Sequence, residues 1–383
     1  MNADSQLKAA PQSKSSKPPK LREARFEDYP QIAALAGDSG LETEEYPAWA
    51  HLWEENPTYL ALGGKFPKGW VLEASGGQVV GYLGNVPLSY ELQGEKLLAA
   101  ATRSWVVSSG YRGYSLMLLG PYYQQANVDL FLGTSVNAQS AIACKVFGNV
   151  PAPVGSWDRT LFWITHPRGF TESYFAKKGW PLGKPLTYPA SFALSLREIL
   201  RSSAFHNPQL PVLSPDRFDD RFDVFWKQLR RQKANLLLAA RDRETLQWHF
   251  KFALLNKKAW IFAIEEASGL SAYAVFLRQD RTSVHLTRMC LADFQCLNAE
   301  KAPNYFVAML HAARERCRQE SIHMLELIGL PPALEQIVAR TAPYRRRLDS
   351  WMYFYKANRP ALEEKLKSPE VWEPSLFDGD SSL

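Results

Sequence analysis

The stretch Ser104–Gln125, SWVVSSGYRGYSLMLLGPYYQQ, decides how this chain is read. An apolar, strand-like run holding Trp105, Val106 and Val107 ends in small residues. It passes through Tyr111-Arg112-Gly113 and becomes helical in pattern. A strand that enters a helix through a loose turn gathers unpaired backbone N–H groups and the positive end of the helix dipole at one place, which suits a phosphate. Arg112 adds a positive charge to that turn.

Working outward, the same order of parts occurs twice. A hairpin is expected at Gly69, GWVLEASGGQVVGYLGNVPLSYEL, and again at Ala259, AWIFAIEEASGLSAYAVFLRQ. Each is followed by an apolar strand (97–107; 284–291) and a helix (115–125; 303–319). A short strand (129–134; 324–329), a second helix (137–147; 331–341) and a closing strand (160–165; 351–355) complete each copy. The expected fold class is therefore α/β, with a mixed sheet in each of two tandem units. Residues 1–20, rich in Ser, Lys and Pro, read as a disordered leader. The first domain is expected at 21–195, a proline-containing linker at 196–214 and the second domain at 215–383. The latter opens on FDDRFDVFWKQLRRQ, in which Phe222, Phe225, Trp226 and Leu229 share one helix face.

Composition agrees with a globular chain. Its 383 residues are 46% hydrophobic, enough for two cores, and the formal charge of +6 is concentrated in the N-terminal stretch and Arg345-Arg346-Arg347. No basic stripe interleaved with aromatics is visible, so no nucleic-acid partner is expected. Cys144, Cys290, Cys296 and Cys317 lack metal-ligand spacing and read as buried thiols of a reducing compartment, giving a cytoplasmic expectation with no metal. No run is long and apolar enough to predict a membrane span.

The element order, YRGYSLMLL after one strand and TSVNAQSAIACKVFG after the next, resembles the GCN5-related N-acetyltransferase (GNAT) superfamily. The duplication resembles its tandem members. The resemblance implies two acyl-CoA N-acyltransferase-like domains, with acetyl-CoA or another acyl-CoA as cosubstrate and a small-molecule amine or peptide as acceptor. In that superfamily an [Arg/Gln]-x-x-Gly-x-[Gly/Ala] turn holds the cofactor pyrophosphate on backbone amides. Here Arg112, Gly113, Tyr114, Ser115 and Leu116 stand in the turn and Trp105, Val106 and Val107 on the strand before it. Ser115 and Met117 replace the preferred small residues, and methionine suits a close phosphate approach poorly. A second motif matches at Asn137, Ser140, Cys144 and Gly148, which implies Asn137 and Ser140 beside the pantetheine arm. Asn137 also suits a helix N-cap.

Cys144 occupies the place of the tyrosine that protonates the departing thiolate in many relatives. It reads either as that acid or as a core thiol on the stripe Ala141, Cys144 and Phe147. Tyr111 is the other candidate acid. Glu42, Glu44 and Glu45 lie in the segment where acceptors enter in this superfamily and suit a cationic amine, or else a solvated first turn. Trp49 and Trp53, four apart, read as acceptor wall or core. The second copy has no Arg-x-x-Gly turn and opens its helix on Pro303, so it is expected to bind no coenzyme A. The tail VWEPSLFDGDSSL reads as a flexible acidic end at Asp378-Gly379-Asp380, with Trp372 and Phe377 able to dock it. The expected function is acyl transfer from a coenzyme A thioester to an amine. The alternatives are a non-catalytic binding protein of the same fold and a tandem aminoacyl- or peptidyltransferase.

Overall fold

The computed structural model describes residues 17–41, 43–179, 208–339, 341–342, 344–348 and 351–383. The leader up to residue 16, the end of the expected first domain from 180 and most of the linker lie outside the described residues. The described chain forms two compact units. One holds the residues up to Ala50, Pro67–Val86 and Arg103–Gln125; the other holds His51–Phe66, Pro87–Thr102 and the residues from Ala126 onward.

In the first unit β1 (Lys20–Glu23) pairs antiparallel with β2 (Gly69–Glu73), and β2 pairs with the start of β3 (Val79–Leu92). Gly69 has a φ of +140°, and a Cβ there would lie 2.2 Å from the Leu83 carbonyl oxygen, so only glycine permits this approach. The end of β4 (Glu95–Val107), a 3₁₀ turn at Ser109–Tyr114 and helix α4 (Leu116–Tyr123) follow. Helix α1 (Tyr29–Asp38) and the start of α2 (Tyr46–Glu54) belong to this unit, whereas the end of α2 and all of α3 (Pro57–Ala61) belong to the second.

The second unit carries the remaining strands: β5 (Leu130–Val136), β6 (Val150–Pro151), β7 (Arg159–Ile164), β8 (Leu238–Ala239), β9 (Ala259–Glu266), β10 (Gly269–Arg278), β11 (Arg288–Cys296), β12 (Met324–Ile328), β13 (Tyr344–Arg347) and β14 (Met352–Ala357). Its helices are α5 (Ala138–Val146), α6 (Pro167–Lys178), α7 (Asp220–Gln232), α8 (Arg243–Leu255), α9 (Ala302–Gln319), α10 (Pro332–Ala339) and α11 (Pro360–Leu366). Phe222, Phe225, Trp226 and Leu229 of α7 are all buried, as the apolar stripe predicts. The core of the second copy is nearly continuous apolar strand on β9–β12 under α9, the pattern of strands covered on both faces.

Strand order is β1-β2-β3-β4-β5-β14-β6 in one sheet, with β8 on β3, and β13-β7-β12-β11-β10-β9 in the other. The duplication is present, but each copy's closing strand is exchanged. β7, expected to close the first copy, pairs antiparallel with β12 along Met324↔Ile164 to Ile328↔Thr160. β14, expected to close the second, pairs antiparallel with β5, from Met352↔Val136 to Ala357↔Leu130. The short strands follow the same rule, since β6 lies on β14 and β13 on β7. The sequence pattern gives strand periodicity but not partner choice, because β7 and β14 are alternative edges for either sheet.

Strand β11 begins later than the hydrophobic run suggests. Arg281 and Leu286 close a tight loop with His285 at φ +53°, which uses up the residues before Arg288. The strand then continues through Asp293 to Cys296.

Because each sheet takes its last strand from the other half of the sequence, residues 1–195 and 215–383 expressed separately should not fold alone. The first would leave β5 without β14, whose Tyr353, Phe354 and Tyr355 are all buried, and each such aromatic contributes roughly 1.5–3 kcal/mol. Co-expression should yield a complex with cooperative melting; two independently melting fragments would contradict the exchange.

Candidate functional site

β4 and β5 are neighbours in parallel, but their hydrogen-bonded pairing covers only Ala99↔Leu130, Ala100↔Phe131 and Ala101↔Leu132. Both strands continue beyond it, β4 to Val107 and β5 to Val136. Where the pairing stops, the ladder hydrogen bonds between these two strands end, and the backbone groups they would have used need other partners. Within β4, Ser104 adopts φ +53°, a left-handed kink of the kind that re-aims the residues after it. The Trp105 indole Nε1 is buried and has no hydrogen-bond partner. Val106 is buried, and Val107 is half-buried.

The turn after β4 is a 3₁₀ helix followed by α4, whose N-cap position is Ser115. Ser115 makes no side-chain cap, so the start of α4 is uncapped by any side chain, while the Ser115 and Leu118 N–H groups donate to the Arg112 and Ser115 carbonyls at 3.1 and 3.3 Å. Arg112, Gly113 and Leu116 are exposed, while Tyr111, Tyr114 and Ser115 are half-buried. Met117 is exposed at the helix start and so does not block the turn by packing into it.

On the other strand, Asn137 caps α5 by accepting the Ser140 N–H at 2.9 Å. Cys144 is buried against Val136, Ala141 and Phe354, so the geometry favours its packing role. Glu44 pairs with Arg103, and its backbone carbonyl accepts the Tyr29 hydroxyl. Its charge is therefore matched within the unit rather than held for an amine. Glu45 is exposed, and Glu42 lies outside the described residues. Trp49 packs against Phe26, Tyr29 and Tyr46, and both Trp49 and Trp53 are buried, which makes them core.

The fold is similar to that of Saccharomyces cerevisiae N-myristoyltransferase solved with bound myristoyl-CoA, at TM-score 0.57 and 11% identity over 92% of this chain and 81% of that one. It is also similar to GCN5-related N-acetyltransferases from Anabaena variabilis (TM-score 0.53, 11% identity, 88% and 72% covered) and Kribbella flavida (TM-score 0.52, 9% identity, 88% and 70% covered). No protein-family model and no curated protein sequence matches the chain. The chain has the GNAT fold. With two copies of it, the second can be compared with the first.

The second copy repeats the parting of strands. β11 and β12 pair in parallel only over Arg288↔Met324 to Cys290↔Glu326, and beyond this β11 keeps its pairing with β10 but not with β12. Here the gap is filled by the chain itself. Glu373, Pro374, Ser375 and Leu376 line the remaining space of about 30 Å³ together with Leu291, Phe294 and Leu330. The Phe377 N–H donates to the Ala292 carbonyl at 2.9 Å. The parting of strands in the second copy is thus plugged by the chain's own C-terminal segment.

The tail expected to be a flexible acidic end is packed instead: Leu376, Phe377 and Asp378 are buried. The lock is Arg241, whose guanidinium spans both oxygens of Asp293 at 2.9 and 3.1 Å and also reaches Ser375. Tyr273 donates to Asp293 at 2.9 Å, and Tyr90 donates to Asp378 at 3.2 Å. Burial works against the Asp293 charge, but Arg241 outweighs it and holds the carboxyl below its ordinary value. For Asp378 burial prevails over Arg241 and raises it. Gly379, at φ +70°, then turns the chain against β5; a Cβ there would come 2.5 Å from the Thr134 methyl. This turn brings Asp380 to the strand end, where its carboxylate accepts from the Thr134 hydroxyl at 2.8 Å and more loosely from Ser135 at 3.4 Å. His249 meets the Ser382 hydroxyl at 2.7 Å. The sequence signal for this placement was the pair of aromatics, Trp372 and Phe377; nothing in it named Arg241 as the partner.

Arg241→Met should cost on the order of 3–5 kcal/mol, because it strands the fully buried Asp293 charge, and a denaturant titration would read this directly. The contribution of Asp293 is present above the ordinary carboxylate pKa of about 4 and is lost as pH falls through its lower folded value. The stability loss of the variant against wild type should therefore shrink in acid, and a pH-independent difference would contradict the pairing.

Proposed function

We propose that this chain is an acyl-CoA-dependent N-acyltransferase, and the observation that supports this best is the open end of the β4–β5 pairing. An open end of a strand pairing offers backbone donors and acceptors to an extended, amide-bearing ligand such as the arm of a coenzyme A thioester. Backbone donors near the gap polarise the thioester carbonyl where oxyanion charge develops, and positioning supplies most of the remaining rate. The turn containing Arg112, Gly113, Tyr114, Ser115 and Leu116 is assigned to the pyrophosphate, on its uncapped helix start and its arginine. Trp105, Val106 and Val107 are assigned to the strand edge, with the unpaired Trp105 indole as a donor. Asn137 and Ser140 keep their assignment to the pantetheine arm alongside their capping role.

The amine must lose a proton to attack, and Asp380 is the carboxylate that the tail delivers to Thr134 and Ser135 at the end of β5. We assign it as general base. Cys144 is set aside as the acid in favour of packing, and Tyr111 is retained as the candidate that protonates the thiolate. The acceptor is an amine, on a small molecule or a peptide. The donor is acetyl-CoA or a longer acyl-CoA, and the myristoyl-CoA bound in the yeast structure sets the long end of the range to try.

Native mass spectrometry and calorimetry with donors from acetyl- to myristoyl-CoA should detect binding, and Arg112→Glu should weaken it about tenfold or more without lowering the melting temperature. Absence of binding for every donor would reject the assignment. With an amine panel, thiol release should fall by roughly a hundredfold in Asp380→Asn at unchanged donor affinity, with the alkaline-rising limb of the pH profile lost. Cys144→Ala should keep its rate per folded molecule. Donor binding without transfer to any amine would favour the non-catalytic alternative.

A further inference from the structure

Away from the gap between β4 and β5, one face of the second sheet gathers arginines. Glu326 on β12 is fully buried, and its neighbours across the sheet are Cys290 on β11 and Phe162 on β7, with Tyr344 of β13 next in line. Arg288 lies two residues before Cys290 and Arg346 two after Tyr344, so both share this face. Each takes one oxygen of Glu326: Arg288 donates at 2.7 Å and Arg346 to the other oxygen. That carboxylate is then saturated by guanidiniums. The nearby Asp280 is occupied as well, by Arg278 at 2.8 and 3.0 Å and by the Arg288 backbone N–H at 3.1 Å.

Arg281, held by its loop bridge to Leu286, comes within electrostatic reach of Arg288, Arg346 and Glu326. Among the described residues its side chain has no hydrogen bond or ion pair, and it remains open to solvent. Partial burial, then the charges of Arg288 and Arg346, lower its hold on its proton, as expected for a cation placed among cations. Arg346 also keeps a buried Nε without a partner. Four guanidiniums thus meet two carboxylates, which leaves two positive charges unmatched. Surface arginines usually solve such crowding by swinging into water; here two of the three are pinned by a buried acid, so their positions are fixed before any ligand arrives.

We propose that Arg281, Arg288 and Arg346 form a binding site for a phosphomonoester dianion. A phosphomonoester carries close to two negative charges at neutral pH and three acceptor oxygens, which match the excess charge and the forked donors of arginine. The site lies in the second copy and does not depend on the acyl-CoA assignment.

The test uses the full chain and isothermal titration with inorganic phosphate and O-phosphoserine at matched ionic strength, with dimethyl phosphate as a monoanionic diester control. Binding of both dianions, with the diester at least tenfold weaker, is expected. Arg281→Gln removes a side chain that holds nothing in the structure, so it should melt as wild type does and bind the dianions tenfold or more weakly. Its titration with acyl-CoA should be unchanged. No dianion binding at millimolar concentration, equal binding of the diester, or undiminished binding by Arg281→Gln would each overturn the proposal.

Discussion

The exchange of β7 and β14 is the constraint on which the rest depends. A sheet edge with unpaired backbone groups is costly to leave open, and both copies resolve it in the same way, by accepting the other's closing strand. The arrangement ties each half of a duplicated sequence into the other half's sheet. It also fixes the far side of β5 and β12 while leaving their near sides, toward β4 and β11, free to part after a few residues. A gap held open on one side needs a strand held firmly on the other.

The two gaps have had different fates, and the tail connects them. In the second copy Pro374–Leu376 fills the space, anchored by the Arg241–Asp293 pair and the Phe377 amide. The same segment then turns at Gly379 and presents Asp380 to Thr134. One stretch of chain therefore fills the strand gap of the second copy and brings a carboxylate to β5 of the first. A buried arginine and two buried aspartates are an expensive way to hold a tail, since the desolvation of each charge must be offset by its partner. The cost is consistent with a tail whose position matters.

Much of the local structure was legible. The hairpins at Gly69 and Ala259, the α7 stripe, the Asn137 cap and the strand-turn-helix at Ser104–Gln125 follow from period, turn residues and capping chemistry, which act over a few residues. Trp49, Trp53 and Cys144 were left between core and site by the sequence. Only burial against named neighbours assigned them to the core. Glu44 looked like an open acidic group because its partner, Arg103, is distant in sequence. The start of β11 was displaced because the Arg281–Leu286 loop consumed residues that the apolar run counted as strand.

The sequence by itself determined the elements, their duplicated order and the superfamily that they resemble, because those depend on side-chain period and short-range turn chemistry. Tertiary structure alone decided which strand closes which sheet, that the second gap is plugged, and which partners Arg241 and Asp380 take. Those outcomes are pairings between residues far apart in the chain: β5 with β14, Arg241 with Asp293 and Thr134 with Asp380. Periodicity marks each partner as apolar, charged or polar, but it carries no information on which distant group shares its hydrogen bond. That choice is made by the packing of the whole fold.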